Sequence, residues 1–451
     1  MIRRTSLGIL GAAFATATLM TPSVASAADT VPTFTKDIAP IFQEKCEACH
    51  RPDSIAPMSL ISYEDARPWA RSIRSRVEQR QMPPWHIDRT IGIQDFKNDR
   101  SLTDAQIDTI TRWVDGGAPK GDMKDMPKPK VWPNEQGWNF AAQFGQKEPD
   151  LIIRSTPWTQ KAGANDTWWK PVVATGITEP RWVRAIELRP ATVKGRKITH
   201  HAIARLQQEE TDALARNDVD QNGAQQAGTF MEWAVGKQGE MMRPNSGKLM
   251  LPGSKIVWDI HYSNGGENIT DIVELGIYFY PKGQEPKFRQ VLHLMGATNA
   301  GGVDIPPNTL KQTEGFFVMR ENGRVESFQP HMHLRGKAME LSAILPNGQV
   351  QVISYVNRFD FNWMNTYMYA DDAAPLLPKG TIIKVVGWHD NTAANKNNPD
   401  PNVWVGYGDR TVDEMAHAWV NVTYMGDADY KAELEARRAK RASTQQQQQQ
   451  Q

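Results

Sequence analysis

Cysteine is almost missing from this chain. Cys46 and Cys49 are the only two among 451 residues and share one short motif. A structural disulfide elsewhere is therefore excluded, and the cores must be held by burial and by bound groups. Charge of one sign is missing too. The 52 Lys and Arg stand against 51 Asp and Glu, for a net charge of +1, which gives no electrostatic reason to expect a nucleic-acid partner. Beyond residue 27 no apolar run approaches the roughly 20 residues a membrane helix needs, so stable membrane insertion is not expected. With 40% hydrophobic residues, the composition fits a globular protein of two or three domains.

What is present begins with a targeting pattern. Arg3 and Arg4 form a basic start, Leu7 to Met20 an apolar core, and Ala25-Ser26-Ala27 a small-residue cleavage site. Residues 1–27 are read as a signal peptide, and the protein as periplasmic or secreted.

Cys46-Glu47-Ala48-Cys49-His50 is the attachment pattern for a c-type haem, in which two thioethers hold the macrocycle and the histidine supplies one axial ligand. Apolar residues at Ile38, Ile41 and Phe42 predict a helix before it. Ser101-Leu102-Thr103-Asp104 predicts a helix start, and Gly116-Gly117 its end. Together these resemble an all-α class I cytochrome c domain over residues 30–122, binding one covalent haem c. For the second axial ligand, Met82 in Gln81-Met82-Pro83-Pro84-Trp85 is the first choice, because the prolines restrict the loop that presents it. Met58 and His86 are the alternatives.

Residues 123–150 are rich in Pro, Gly and Lys and are read as a linker. The character then changes. Trp182–Leu188, Lys255–Tyr262, Ile272–Tyr280, Gly315–Met319, Met339–Leu345, Val350–Val356 and Thr381–Trp388 read as strands with Gly, Pro and Asn in the connections. They predict two all-β jelly-roll-like sandwich domains, 151–290 and 291–427, before a charged and poly-Gln tail at 428–451.

Histidines concentrate in these β regions. His331 and His333 are spaced i, i+2, so on a strand both point to one side and can share a metal. On Lys255–Tyr262, Ile256, Trp258, Ile260 and Tyr262 share a face, and His261 takes the other. His200 and His201 are adjacent, and both reach one metal only at a bulge or twisted strand end. Imidazole suits copper, zinc or iron, and a thioether partner would favour Cu(I). Met415 is the downstream methionine, with His417 as an alternative third ligand to His331 and His333.

The order His200-His201, His261, His331-x-His333, Asp413-Glu414-Met415 resembles the copper type II ascorbate-dependent monooxygenases, the family of the peptidylglycine α-hydroxylating and dopamine β-monooxygenases. The resemblance spans roughly residues 150 to 427. It implies two coppers on two domains facing across a solvent-filled cleft. His200, His201 and His261 would hold an electron-transfer copper, and His331, His333 and Met415 the copper at which O2 is used. The implied activity is hydroxylation of a C–H bond in a small organic substrate. The run from Asp390 to Asn395 also resembles bacterial relatives, with a structural role. Three departures accompany this. The family's animal disulfides are impossible here, Gln329 replaces a substrate-binding arginine, and His417 and Trp419 replace an asparagine and a tyrosine. They argue against a C-terminal glycine peptide as substrate.

The two features on one chain lead to a specific expectation. Electrons from an external donor, a redox protein or an ascorbate-like reductant, would pass through the haem to the His200/His201/His261 copper. Tethering raises the donor's effective concentration to about millimolar. Two other readings compete. One is a non-catalytic haem and copper electron-transfer or copper-binding protein, and the other a sugar- or partner-binding module built on the chain's 15 tryptophans.

Overall fold

The computed structural model describes residues 30–449 except 53, 55, 133–136, 210–227, 235, 236, 238, 299 and 300. The expected signal peptide at 1–27 lies outside the described residues. Among these residues, no helix is long and apolar enough to cross a membrane.

The expected arrangement, an all-α cytochrome c domain followed by two separate jelly-roll-like sandwiches, is not what the chain forms. The structure is mostly β-sheet. Short helices do form at Ala39–Lys45, Ala70–Glu78 and Asp104–Asp115, the last opened by a Thr103/Gln106 capping box and closed at Gly116. They bury Phe34, Phe42, Ile110 and Trp113 in a small core. Between the second and third of these helices, however, the chain leaves them. Strand Ile87–Gly92 pairs antiparallel with Val350–Val356, and Phe96 bridges Tyr369. Trp85 and Ile87 enter the same core as Phe328, Tyr367 and Tyr369. Residues 30–122 are therefore not an independent helical unit. The local signal was legible, since Trp85, Ile87, Ile91 and Ile93 alternate at the strand period.

The expected boundary near residue 290 lies on the sheet itself. It falls inside strand Phe288–Ala297, which pairs with Ser246–Met250 on one side and Ala416–Met425 on the other. These strands lie in one ten-stranded sheet, running from Leu151–Arg154 through Val273–Phe279, Arg181–Pro190 and the three just named to Asn322–Met332 and Tyr367–Met368. Smaller sheets cover it. Thr167–Trp169, Lys255–Tyr262, Thr199–Gln207 and Gly228–Ala234 enclose one core against it. Ile87–Gly92, Val350–Val356, Gly336–Ile344, Ile382–Asp390 and Leu310–Val318 enclose another. Each strand expected from the sequence overlaps one of these, because Val, Ile and aromatic residues alternate along it. A helix, Asp427–Gln449, ends the described chain, tied down where Arg324 meets Glu433 at 2.7 Å.

One buried carboxyl supports the entry to the first histidine pair. Asp271 accepts from the hydroxyl of Thr192, which caps helix Val193–Ile198 immediately before His200. Burial pushes the Asp271 carboxyl up from 3.8 to about 6, and its Oδ2 has no hydrogen-bond partner. The unfolded chain ionises this group near its ordinary value, the folded chain only about two pH units higher. Stability is therefore lost as pH rises between those values. Asp271→Asn is expected to stabilise the protein at pH 7 by up to about 3 kcal/mol, with the gain vanishing below about pH 4. Urea denaturation at the two pH values checks this, and an equal effect at both would refute it.

Candidate metal centre

Strand irregularity assembles the first group. Along the ladder between Lys255–Tyr262 and Thr199–Gln207, His261 pairs with His201 but Tyr262 pairs with Thr199, so His200 is a bulged residue. The bulge turns the adjacent His200 and His201 rings to one side, with their Nδ1 atoms 3.2 Å apart. The ligand atoms of His200, His201 and His261 all lie within 4.8 Å of one another. His261 Nε2 is 3.0 Å from the Asp166 carboxylate, which also accepts from Thr411 Oγ1 at 3.1 Å. That bond leaves His261 Nδ1, buried and without a partner, for the cluster. The Trp168 ring stacks on His261 at 4.4 Å, and Phe361 on His200 at 4.6 Å.

A carboxylate that sets a ligand's tautomer typically governs metal affinity by 10- to 100-fold. Asp166→Asn is accordingly expected to weaken copper at this group by about 10- to 100-fold. Chelator competition measures it, and unchanged affinity would remove Asp166 from the site.

The second group lies at the ends of neighbouring strands. His331 closes Asn322–Met332 and faces His417 of Ala416–Met425 across the ladder, their rings stacked at 4.7 Å. His333 Nδ1 is 3.1 Å from the Asp413 carbonyl, its ring 5.3 Å from that of His331. His331 and His333 are 2% and 4% exposed. Buried Glu414 accepts from the backbone N–H of His333 at 3.0 Å and of Arg335 at 2.6 Å. Arg335 in turn donates to Asn391 at 2.8 Å, and Asn395 to the Leu334 carbonyl at 3.2 Å. The run from Asp390 to Asn395 thus holds the histidine turn in place. His417 keeps both ring nitrogens buried without a hydrogen-bond partner. Met415 is half-buried, its N–H donating to Glu414 at 3.3 Å. The thioether that meets His331 is Met364, whose Sδ is 2.9 Å from Nδ1.

Burial lowers these imidazoles' affinity for protons. His200 falls to about 4 and His417 to about 3, with neighbouring His261 and His333 respectively adding to the effect. His201 and His331 fall well below their ordinary value, and His333 falls too. At neutral pH these rings keep lone pairs, as metal ligation demands. The donor set fits copper, with nitrogen ligands oriented by outer partners and one ring against a sulfur.

The two groups adjoin. The His201 and His331 rings are 5.7 Å apart in a T-shaped contact, where the resemblance implies a solvent-filled cleft between them. The sheet that carries the first group packs on the ten-stranded sheet that carries His331 and His417, with Ile203 of the one against Leu292 and Trp419 of the other.

At the Cys46-x-x-Cys49-His50 motif, His50 Nδ1 lies 3.2 Å from the Met58 carbonyl. Nε2 is then the atom that could take a metal, the usual arrangement of a ligating histidine. Burial pushes the Cys46 thiol up to about 12. Met82 lines a cavity of about 290 Å³ together with Val77, Trp85, Leu102, Ile107 and Arg358. His86 is buried, with its N–H donating to the Tyr367 hydroxyl at 3.3 Å.

Sequence reading missed Asp166, Phe361 and Met364. None stands in a motif, and only the folded chain brings them to the rings.

No family model matches the chain, and no curated protein matches it. Among solved structures, it is similar to the major capsid protein P2 of bacteriophage PM2 at 10% identity and a TM-score of 0.24, over 60% of this chain and 97% of that one. It is similar to a putative alpha-L-fucosidase from Bacteroides ovatus ATCC 8483 at 9% identity and a TM-score of 0.18, over 70% of this chain and 43% of that one. It is also similar to infectious bursal disease virus VP2 at 11% identity and a TM-score of 0.18, over 61% and 73%. Likenesses this distant assign neither a family nor a function to the chain.

Proposed function

We propose that the protein is an exported copper-dependent monooxygenase that hydroxylates a C–H bond of a small organic substrate with O2. Its electrons come from an external donor through a c-type haem on Cys46, Cys49 and His50. The observation that carries this reading is the first group itself: one ring nitrogen each of His200, His201 and His261 lies within 4.8 Å of the others, and Asp166 engages His261 Nε2 while its Nδ1 is buried without a partner.

In this reading His200, His201 and His261 hold one copper, and His331, His333 and Met415 the other. Bound copper supplies one-electron storage and the use of O2. Everything else is the chain's work. Asp166 and the Asp413 carbonyl keep His261 and His333 in the tautomers that leave one nitrogen free. Met364 accepts from His331 Nδ1, which leaves Nε2 for metal. Phe361 and Trp168 stack on the His200 and His261 rings and hold them in place. Glu414 and Arg335 hold the turn that carries His333. No protein acid or base is required, and none is assigned.

The deep burial of His331 and His333 favours a second reading, a haem and copper electron-transfer protein without turnover, since a substrate needs access to the reacting centre. The deciding experiment loads the purified haem protein with copper, supplies a reductant and screens small organic compounds under O2. Oxygen consumption matched by a hydroxylated product supports the monooxygenase. Copper bound without any coupled product supports the carrier.

A further inference from the structure

The cavity of about 290 Å³ lies where three parts of the chain meet. Val77 comes to it from helix Ala70–Glu78 and Ile107 from helix Asp104–Asp115. Trp85 and Ile87 come from the segment between those helices, and Asn357 and Arg358 from the loop after strand Val350–Val356. None of Cys46, Cys49 and His50 lines it, and neither does any residue of the two histidine groups. It is a site apart from both.

Its walls and its polar lining differ in chemistry. The walls are apolar, from Val77, Met82, Trp85, Ile87, Leu102 and Ile107. The charged lining is three guanidinium groups, Arg80, Arg89 and Arg358, against one carboxylate, Asp88. That carboxylate is already engaged. It accepts from the Thr90 and Ile91 N–H groups at 2.8 and 3.0 Å, from Thr90 Oγ1 at 2.7 Å, and from the Asn357 amide. Arg80 and Arg89 share a second carboxylate. Arg80 pairs with Asp104, and Arg89 lies 3.6 Å from it while donating to the Leu102 carbonyl at 3.1 Å. Arg358 differs from both. Its Nη1 donates to a neutral carbonyl, that of Gln79 at 3.2 Å, and among the described residues no carboxylate pairs with it. Three cations against Asp88 and Asp104 leave one positive charge beside an apolar cavity.

We propose that this cavity binds a small amphiphilic monocarboxylate, with its aliphatic chain against the apolar walls and its carboxylate on Arg358. The volume stands at the lower end of small-molecule sites, which suits one short chain. Apolar walls supply the affinity, and the guanidinium fixes the orientation, since its planar fork matches a carboxylate in two parallel hydrogen bonds. A cationic head group of the same length is repelled there, and a neutral one keeps only the apolar contact. The bound chain touches both helices and the segment that joins the β-structure, so it ties these three parts together. The site needs neither haem nor copper, and it stands independently of the monooxygenase reading.

The test is calorimetric titration of the purified full-length protein with octanoate, octanol and octylamine. Octanoate is expected to bind at a single saturable site, octanol about tenfold more weakly, and octylamine not at all. Arg358→Gln is expected to lower octanoate affinity about tenfold, to the level of octanol, while leaving octanol affinity unchanged. That unchanged value shows that the cavity is intact in the variant. Arg358→Lys, which keeps the charge without the fork, is expected to recover part of the loss. Ile107→Trp, which fills the cavity, is expected to abolish binding of octanoate and octanol alike. Absence of saturable octanoate binding to the wild-type protein overturns the proposal, as does equal affinity for octanoate and octanol. Octanoate affinity unchanged in Arg358→Gln removes the anchor, and loss of both ligands there makes Arg358 a structural residue; either result overturns it. Binding that survives Ile107→Trp places the ligand elsewhere and overturns it too.

Discussion

Replacing both His331 and His333 by Ala is expected to halve the copper content, from two per haem to one, and to abolish oxygen-coupled hydroxylation. Both rings belong to one group, and neither is replaceable by solvent at 2% and 4% exposure. A single remaining imidazole cannot hold copper against a chelator. The first group stands on other strands, Thr199–Gln207 and Lys255–Tyr262, with its own orienting carboxylate, so its copper should remain. Metal analysis after desalting gives the ratio. Loss of both coppers would mean that the adjoining rings form a single shared site. No loss would mean that His331 and His333 are structural, and the monooxygenase reading would go with them.

The second large effect is expected at Trp85. Its side chain is 6% exposed and stands edge-on to Tyr367 at 4.7 Å and Phe96 at 5.6 Å. Trp85→Ala removes the largest apolar group holding residues 79–98 to the β-structure, at a cost of about 3–5 kcal/mol. The effect should be local as well as global. Residues 79–98 should become open to proteases while the first histidine group still binds copper. Trp69→Ala is the control, since Trp69 is 45% exposed and a surface change of that kind costs within about 0.5 kcal/mol. Chemical denaturation and limited proteolysis read both. Equal, small effects in the two variants would show that the segment is not anchored through Trp85.

How far the histidines could be read in advance depended on the range of the interaction. The i, i+2 spacing of His331 and His333 pointed to one strand face, but only His331 lies on the strand, which ends at Met332, and His333 opens the turn beyond it. The apolar stripe Ile256, Trp258, Ile260 and Tyr262 is buried as its alternation requires. Even the bulge at His200 was implied, because adjacent residues on a regular strand point apart. Asp166 was not legible, lying 95 residues from His261, and neither was Met364, 33 residues beyond His331. Their roles come from where loops come to rest, and loop placement carries no period.

The error over the fold class has the same origin. A Cys-x-x-Cys-His motif flanked by helix signals invites the assignment of everything nearby to one helical unit. Yet Trp85, Ile87 and Phe96 need an apolar surface larger than the short helices offer, and the sheet edge at Val350–Val356 supplies both that surface and unpaired backbone groups. In the same way, strand Phe288–Ala297 finds partners on both sides, which joins two expected sandwiches through one sheet. Local pattern by itself determined which segments are strands and which of their faces are buried, because those depend on neighbours a few residues away. Only the tertiary structure decided that the two histidine groups touch, and that Trp85 and strand Ile87–Gly92 join the β-structure. Those facts depend on which buried surfaces and open strand edges meet, and that is settled by the whole chain at once.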